Sequence, residues 1–168
     1  MTPQETFDKG VSLRLEGNEL FKKAEYKEAL TKYYHAILHL RTVGGQKNKA
    51  EFEANSNEQL VMIYNNMAAV NIKQNNWIRA MENSKKALEL DGKNVKAKFR
   101  LAQAYMQQND IDKAEPLLAQ VLAVNPDDAA VKLEIAKLKK QSKSQEGKQK
   151  LVYQKMMAKM AQENQVDV

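Results

Sequence analysis

The sequence predicts an all-α protein made of stacked helix pairs, and three observations support this prediction. Its 168 residues contain only 6 Gly and 3 Pro, so little of the chain is suited to turns. The strong helix formers Ala, Leu, Lys, Glu and Gln are abundant, within a composition ordinary for one globular domain. Finally, one pattern of small and large residues occurs three times along the chain.

The threefold pattern is defined by small residues at two positions of each copy. They are Gly17, Ala68 and Ala102 at the first position and Ala29, Ala80 and Ala114 at the second. A large residue stands three places before each second small residue: Tyr26, Trp77 and Ile111. Where two helices cross closely, Gly or Ala lets their backbones approach to about 8–10 Å. Each copy is therefore expected to form one pair of antiparallel helices, with the large residues filling gaps between pairs.

The pattern resembles the tetratricopeptide repeat (TPR) over nearly all of residues 10–126. The third copy follows the second by 34 residues, the period of that family, whereas the second follows the first by 51, leaving an insertion of 17. The resemblance implies three helix-turn-helix repeats at about 10–43, 61–92 and 95–126, forming a right-handed superhelical stack, with the insertion at about 41–57. Residues 127–168 are predicted to form a C-terminal capping helix and a basic tail, outside the repeat region 1–126.

Turn-forming residues indicate where the helices end. Helices are predicted at about 4–23, 26–42, 57–74, 77–90, 94–107 and 110–123, with a seventh at about 127–163. Gly44-Gly45 is expected to end the second helix, and Ser56 or Asn57 to cap the third. The seventh helix is predicted to be interrupted near Ser142–Gly147. Its apolar residues are expected to cover the end of the stack: Leu133, Ala136 and Leu138.

Five polar side chains lie outside the packing pattern on the first helix of each pair, the helix that lines the concave face of such a stack. They are Arg14 and Asn18 in the first repeat, Asn66 in the second, and Lys96 and Arg100 in the third. The members of each pair are four residues apart, so they share one helix face. Three cations and two amides without an acid predict an anion-binding groove, although each residue alone could be an ordinary solvated surface group.

These five positions resemble the carboxylate clamp of co-chaperone tetratricopeptide domains. That clamp binds the C-terminal Glu-Glu-Val-Asp of heat-shock proteins 90 and 70 with a Lys and an Asn four apart, a second Asn, and a Lys and an Arg four apart. Asn18, Asn66, Lys96 and Arg100 match it, and Arg14 stands where the family has Lys. The resemblance implies a co-chaperone for heat-shock protein 90, or 70. Arg14 keeps the charge but replaces a compact ammonium with a planar fork.

The segment after the repeats is similar to the ending of large immunophilins, the FKBP type fitting better than the cyclophilin type. Those endings are rich in Lys and carry a Tyr before a Met-rich stretch, as in Lys150–Ala161. The chain is then either part of a longer prolyl isomerase or a free-standing relative. The resemblance also implies a calmodulin-type segment: Lys150, Leu151, Tyr153, Lys155, Met156 and Met160. The alternative is a solvated extension of the capping helix.

Other function classes have little support in the sequence. The chain has no Cys, so it has no disulfide framework and no thiolate metal site. His35 and His39 are four residues apart but lack further ligands, and a Gly-rich phosphate loop and a catalytic triad are missing. No metal, cofactor or catalytic residue is therefore expected. Eight Lys and three acids from residue 137 onward give +5 of the net charge of +6, but without the aromatic residues and Gly-rich loops typical of nucleic-acid sites.

The predicted location is the cytoplasm. No apolar run approaches the ~20 residues that a membrane span needs, and the polar N-terminus is not typical of a secretory signal. Two functions stay open: a co-chaperone module that binds a C-terminal peptide, or a structural adaptor whose groove takes an internal segment. In the adaptor, the basic tail would bind calmodulin, a membrane surface or another subunit. Dependence on a free C-terminal carboxylate distinguishes the two functions.

Overall fold

A computed structural model describes residues 1–44 and 49–166, a part of the chain that contains seven helices and no strand. They are α1 (Pro3–Lys22), α2 (Tyr26–Gly44), α3 (Lys49–Lys73), α4 (Trp77–Leu90), α5 (Val95–Gln107), α6 (Ile111–Val124) and α7 (Ala129–Val166). Each helix packs against the next, and α1, α3, α5 and α7 also contact one another in that order. The first helices of the three pairs therefore form one continuous layer. This confirms the predicted all-α stack of three pairs with a further helix at its end.

The small residues of the threefold pattern lie where the helices cross. The five alanines are 0% exposed, and Gly17 is buried as well. A Cβ atom added to Gly17 would lie 2.6 Å from Cε1 of Tyr33 on α2, a side chain that is itself 1% exposed. Because a buried ring cannot move aside, only Gly lets α1 and α2 cross at this distance.

The turns inside the three pairs share one backbone conformation. Ala24, Asn75 and Asn109 have φ values of 60°, 60° and 62°. In each turn the N–H of the next residue donates to the carbonyl oxygen five residues earlier, at 2.8–2.9 Å. Left-handed residues of this kind close helix ends by satisfying the last carbonyls. Asn tolerates this conformation well, whereas Ala adopts it only at a cost in free energy.

Helix α3 begins earlier than predicted, because residues of the predicted insertion form its first turns. Phe52 is 5% exposed, and its ring centroid lies 5.8 Å from that of Phe7 on α1. Ser56 is buried inside the helix rather than at its start, so the predicted cap at Ser56 or Asn57 is wrong. The described part of helix α2 extends to Gly44, and Gly45, the second residue of the predicted helix stop, lies outside the described residues.

Helix α7 is continuous through Ser142–Gly147, so the predicted interruption there is wrong. Of the residues predicted to cover the stack, Leu138 is buried, but Leu133 is 57% exposed and Ala136 is exposed. The covering face consists instead of Val131, Ile135 and Leu138, which have the three- and four-residue spacing of one helix face. Residues 146–164 are exposed throughout. We call residues 146–164 the projecting end of α7.

Candidate functional site

A cavity of about 460 Å³ lies between α1, α3 and α5. It is lined by Arg14, Val61, Met62, Asn65, Asn66, Asn94, Val95 and Lys96. Three of the five predicted binding residues are in this lining, one from the first helix of each repeat. The structure therefore brings together side chains that are up to 82 residues apart in the sequence, Arg14 and Lys96.

Asn18 joins the cavity through a hydrogen bond with Asn66. The Asn66 Nδ2 atom donates to Asn18 Oδ1 at 2.8 Å, and the Tyr33 hydroxyl donates to the same oxygen at 2.6 Å. Burial raises the pKa of Tyr33 to about 12, outweighing the opposing effects of the nearby Asn66 amide and of the charge of Arg14. The hydroxyl is therefore protonated at neutral pH and can donate. The oxygen of Asn18 is thus occupied by two donors, and its amide N–H groups make no hydrogen bond within the described part of the chain.

Arg14 is held by a residue that the sequence analysis did not single out. Its Nε donates to Oε1 of Gln59 on α3 at 2.7 Å, and both side chains are half-buried. Gln59 lies seven residues before Asn66, which is two helical turns, so the two share a face of α3. That spacing was the only signal in the sequence that could have found it.

The third repeat places its two cations differently from each other. Arg100 is half-buried, and its Nη1 donates to the backbone oxygen of Asn65 at 3.0 Å. Burial lowers the pKa of Arg100, but a guanidinium is still charged at neutral pH. Lys96 is exposed and makes no side-chain hydrogen bond or ion pair with any residue in the ranges 1–44 and 49–166. Arg100 is thus bonded to α3 outside the cavity lining, whereas the Lys96 side chain belongs to the lining and has no partner within the described residues.

Asn94, also missed from the sequence, fixes the start of α5 against α3. Its Oδ1 accepts hydrogen bonds from the Ala97 backbone N–H and from Asn65 Nδ2, both at 3.0 Å. The first of these bonds caps the helix. Since Lys96 and Arg100 lie on the first two turns of α5, this one oxygen sets their position relative to α3.

The charges around the cavity favour an anion. Its lining contains two cations and, in the described part of the chain, no Asp or Glu. Three other cavities of the molecule each include a glutamate, namely Glu53, Glu82 or Glu89. A concave surface lined by charges of one sign focuses the field and attracts ligands of the opposite sign.

The residues predicted to bind calmodulin are not in the lining of this cavity but on the projecting end of α7. Leu151, Tyr153, Met156 and Met160 are 54–63% exposed, and Lys150 and Lys155 are exposed as well. Among the described residues no three His, Asp or Glu side chains gather as metal ligands would. His39 Nδ1 lies 2.9 Å from the backbone oxygen of His35, within one turn of α2. None of the helices in the described ranges carries an apolar stretch long enough to cross a membrane.

Comparison with known proteins supports the repeat assignment. A family model described as tetratricopeptide repeat matches residues 71–138. The human peptidyl-prolyl cis-trans isomerase FKBP4 is 28% identical over 164 residues, which are 97% of this chain and 35% of FKBP4. Mouse sperm-associated antigen 1 is 34% identical over 130 residues, 77% of this chain and 12% of that protein. The chain therefore spans about a third or less of these two relatives.

Solved structures show the same fold. The C-terminal TPR-containing domain of a Plasmodium falciparum protein described as FK506-binding superposes with a TM-score of 0.80 at 23% identity, covering 88% of this chain and 97% of that one. The first TPR of Spaghetti (RPAP3), bound to the HSP90 peptide SRMEEVD, gives 0.64 at 19% identity, covering 79% and 92%. The second TPR domain of human RPAP3, in complex with the HSP70 peptide SGPTIEEVD, gives 0.61 at 21% identity, covering 82% and 98%.

These comparisons also bear on the enzyme question. The stretch of FKBP4 that matches this chain has the repeat fold, so the isomerase activity in that protein's name belongs to a part that this chain does not cover. The prediction that these 168 residues do not themselves form an enzyme is confirmed. The family match, the three helix pairs and the superpositions agree on one conclusion. The chain has the fold of a tetratricopeptide repeat domain, a protein-interaction fold, with the family model matching residues 71–138 and a sequence similar to part of FKBP4.

Proposed function

We propose that this domain is a co-chaperone module of the cytoplasm that binds the acidic C-terminal peptide of heat-shock protein 90, or of heat-shock protein 70. The binding site is a carboxylate clamp formed by Arg14, Asn18, Asn66, Lys96 and Arg100. The observation that carries the proposal is the acid-free cavity, in which donors from three helices converge. A C-terminal Asp presents two carboxylates close together, and both need charge-assisted donors. The RPAP3 domains, whose solved complexes contain peptides ending in EEVD, have the same fold.

The apolar part of the lining suits the rest of such a peptide. Val61, Met62 and Val95 stand beside the polar donors, and Met62 is 36% exposed. A Val one residue before the terminal Asp can bury its methyl groups against this surface. Each buried methyl or methylene group contributes about 0.8 kcal/mol. Charge and apolar contact together then select an acidic peptide over a simple anion.

Calorimetric titration with SRMEEVD, beside the same peptide amidated at its C-terminus, tests the proposal. We expect the free acid to bind and the amide to bind much more weakly. Lys96→Ala should weaken binding of the free acid about 10- to 150-fold, the value of one hydrogen bond to a charged group. Lys98→Ala is the matched control, because Lys98 is on the same helix but outside the cavity lining.

The alternatives give different results in the same titration. If the amide binds as well as the acid, the groove takes an internal segment, as a structural adaptor would. If neither peptide binds, the clamp proposal is wrong. A parallel titration with SGPTIEEVD measures the preference between the two heat-shock proteins, since the peptides share the EEVD end and differ upstream.

A second, independent candidate is a calmodulin-type segment on the projecting end of α7. Val152, Met156 and Met160 are spaced by four residues, so they share one helix face, and they are 54–59% exposed. A basic helix with such an apolar face suits the groove of an acidic partner. Titration of the chain with calcium-loaded calmodulin, with Met156→Glu as the negative variant, tests this proposal. Equal binding by the variant, or no binding by the parent chain, would count against it.

A further inference from the structure

The hydrogen bond between Arg14 and Gln59 fixes the guanidinium through its Nε atom, a contact that the clamp pattern does not require. Arg14 is on α1 and Gln59 on α3, 45 residues apart, and the bond from Nε to Oε1 is 2.7 Å. Arg14 lines the cavity, whereas Gln59 is not part of the lining. Gln59 therefore contacts the guanidinium from outside the space that a ligand would occupy.

The chemistry of the guanidinium gives this contact a directional effect. The group is a rigid plane with five N–H donors, one on Nε and four on the two Nη atoms. Once Nε is fixed, the direction of both Nη atoms is restricted as well. Neither Nη atom of Arg14 bonds to any side chain or backbone group within the described ranges. Two parallel N–H groups are then left for a carboxylate, an arrangement that a lysine cannot offer.

We infer that Gln59 is a positioning residue, which orients Arg14 so that its two Nη atoms form an end-on fork for a ligand carboxylate. This inference rests on the proposed function, because it concerns the same cavity and the same class of ligand. It gives a reason why this chain has Arg at position 14, where the clamp of the family has Lys. The replacement and Gln59 act as one unit, which makes the first repeat selective for a free carboxylate.

A double-mutant cycle tests the inference. Binding of SRMEEVD and of its amide is measured by calorimetry for the parent chain, Gln59→Met, Arg14→Lys and the double variant. Gln59→Met removes the acceptor and keeps a side chain of similar length. We expect it to weaken binding of the free acid about 2- to 10-fold with Arg14 present, the value of one ordinary hydrogen bond. With Arg14→Lys already in place, it should change binding less than 2-fold, because the ammonium has no fork to orient.

Two further readouts separate positioning from a structural role. Thermal unfolding should give the same midpoint for the parent chain and Gln59→Met to within about 2 °C, because Met keeps the packing and water can reach the half-buried contact to replace the lost acceptor. The Nε–H resonance of Arg14 in a ¹⁵N correlation spectrum should exchange faster with water in Gln59→Met.

The outcomes distinguish this inference from the proposed function. If the parent chain binds the free acid but Gln59→Met has no effect, or has the same effect in both backgrounds, the inference is wrong and the clamp stands. If the parent chain does not bind the free acid, the proposed function fails and the inference falls with it. If Gln59→Met weakens binding of the free acid only when Arg14 is present, the result supports both the inference and the proposed function.

Discussion

The first and third repeats each contribute two predicted binding residues, four residues apart, of which one lines the cavity, but they hold them in different ways. In the first repeat both are bonded to side chains of other helices, Arg14 to Gln59 and Asn18 to Asn66 and Tyr33. In the third repeat Arg100 bonds to a backbone oxygen of α3, and Lys96 has no partner among the described side chains. The first repeat relies on a network of side chains, whereas the third relies on the position of α5 along α3.

Because of this difference, the same side chains serve stability and proposed binding in the first repeat, whereas different side chains serve them in the third. Tyr33 packs against Gly17 at the crossing of α1 and α2, and its hydroxyl also orients Asn18. One ring therefore sets both the helix crossing and the direction of a proposed ligand donor. In the third repeat, Ala102 and Leu118 belong to an apolar cluster, and Lys96 stands apart from it. Changes at the first crossing should disturb the fold and the site together, while a change at Lys96 should affect the site alone.

Gly17→Ala breaks the first repeat at its tightest point and should have the largest effect. The added Cβ atom would lie 2.6 Å from the buried ring of Tyr33, so the helices must move apart. We expect a loss of about 3 kcal/mol in the free energy of unfolding, the upper end for overpacked cores. Urea unfolding followed by circular dichroism measures this loss.

Gly147→Ala is the control for that substitution, because Gly147 is also helical but nothing lies within 4 Å of its added Cβ atom. It should not destabilise the protein, and should raise the helicity of the projecting end of α7. If Gly17→Ala unfolds at the same urea concentration as the parent chain, the close crossing of α1 and α2 is wrong.

Comparing Arg100→Ala with Lys96→Ala sharpens the contrast within the third repeat. Arg100→Ala removes the bond to the oxygen of Asn65 and the packing of a half-buried stem, so we expect a loss of about 1–2 kcal/mol in stability. Lys96→Ala should change stability by less than about 0.5 kcal/mol, as exposed residues usually do. Arg79→Ala, an exposed Arg on α4, is the control for loss of a charge. Equal losses at Arg100 and Lys96 would contradict the difference in how the two are held.

The same contrast shows what the sequence could predict. The six small residues and the turn residues identify the helix pairs, because close crossing and left-handed backbone restrict residue type directly. The start of α3 was misjudged because Ser56 and Asn57 look like a cap, although Phe52 and Leu60, eight residues apart, belong to one buried stripe. Leu133 was misjudged because its apolar character was considered without its place on the helix face.

For the site, the sequence could predict which residues share one face of a helix, but not which side chains of different helices contact one another. The four-residue spacing placed Arg14 with Asn18 and Lys96 with Arg100, and the repeat period placed Asn66 opposite them. That kind of spacing places Gln59 on the same face of α3 as Asn66, but it gives neither the contact of Gln59 with Arg14 nor that of Tyr33 with Asn18. Their role depends on which side chains meet across α1, α2 and α3, and spacing along a single helix does not determine that.

Ala24→Gly tests the smallest difference between the repeats, the left-handed residue in their turns. The second and third repeats have Asn at this place and the first has Ala, all with φ of 60–62°. A left-handed conformation costs an L-residue about 1–2 kcal/mol, and Gly avoids this cost but loses about 0.5–1 kcal/mol more in backbone entropy. We therefore expect Ala24→Gly to raise the free energy of unfolding by about 0.5–1 kcal/mol, measured by thermal and urea unfolding. Ala119→Gly, in the exposed interior of α6, should lower it by about 1 kcal/mol. A loss of stability in both variants would mean that the turn at Ala24 is unstrained. The left-handed residue of the first repeat would then cost no more free energy than those of the other two repeats.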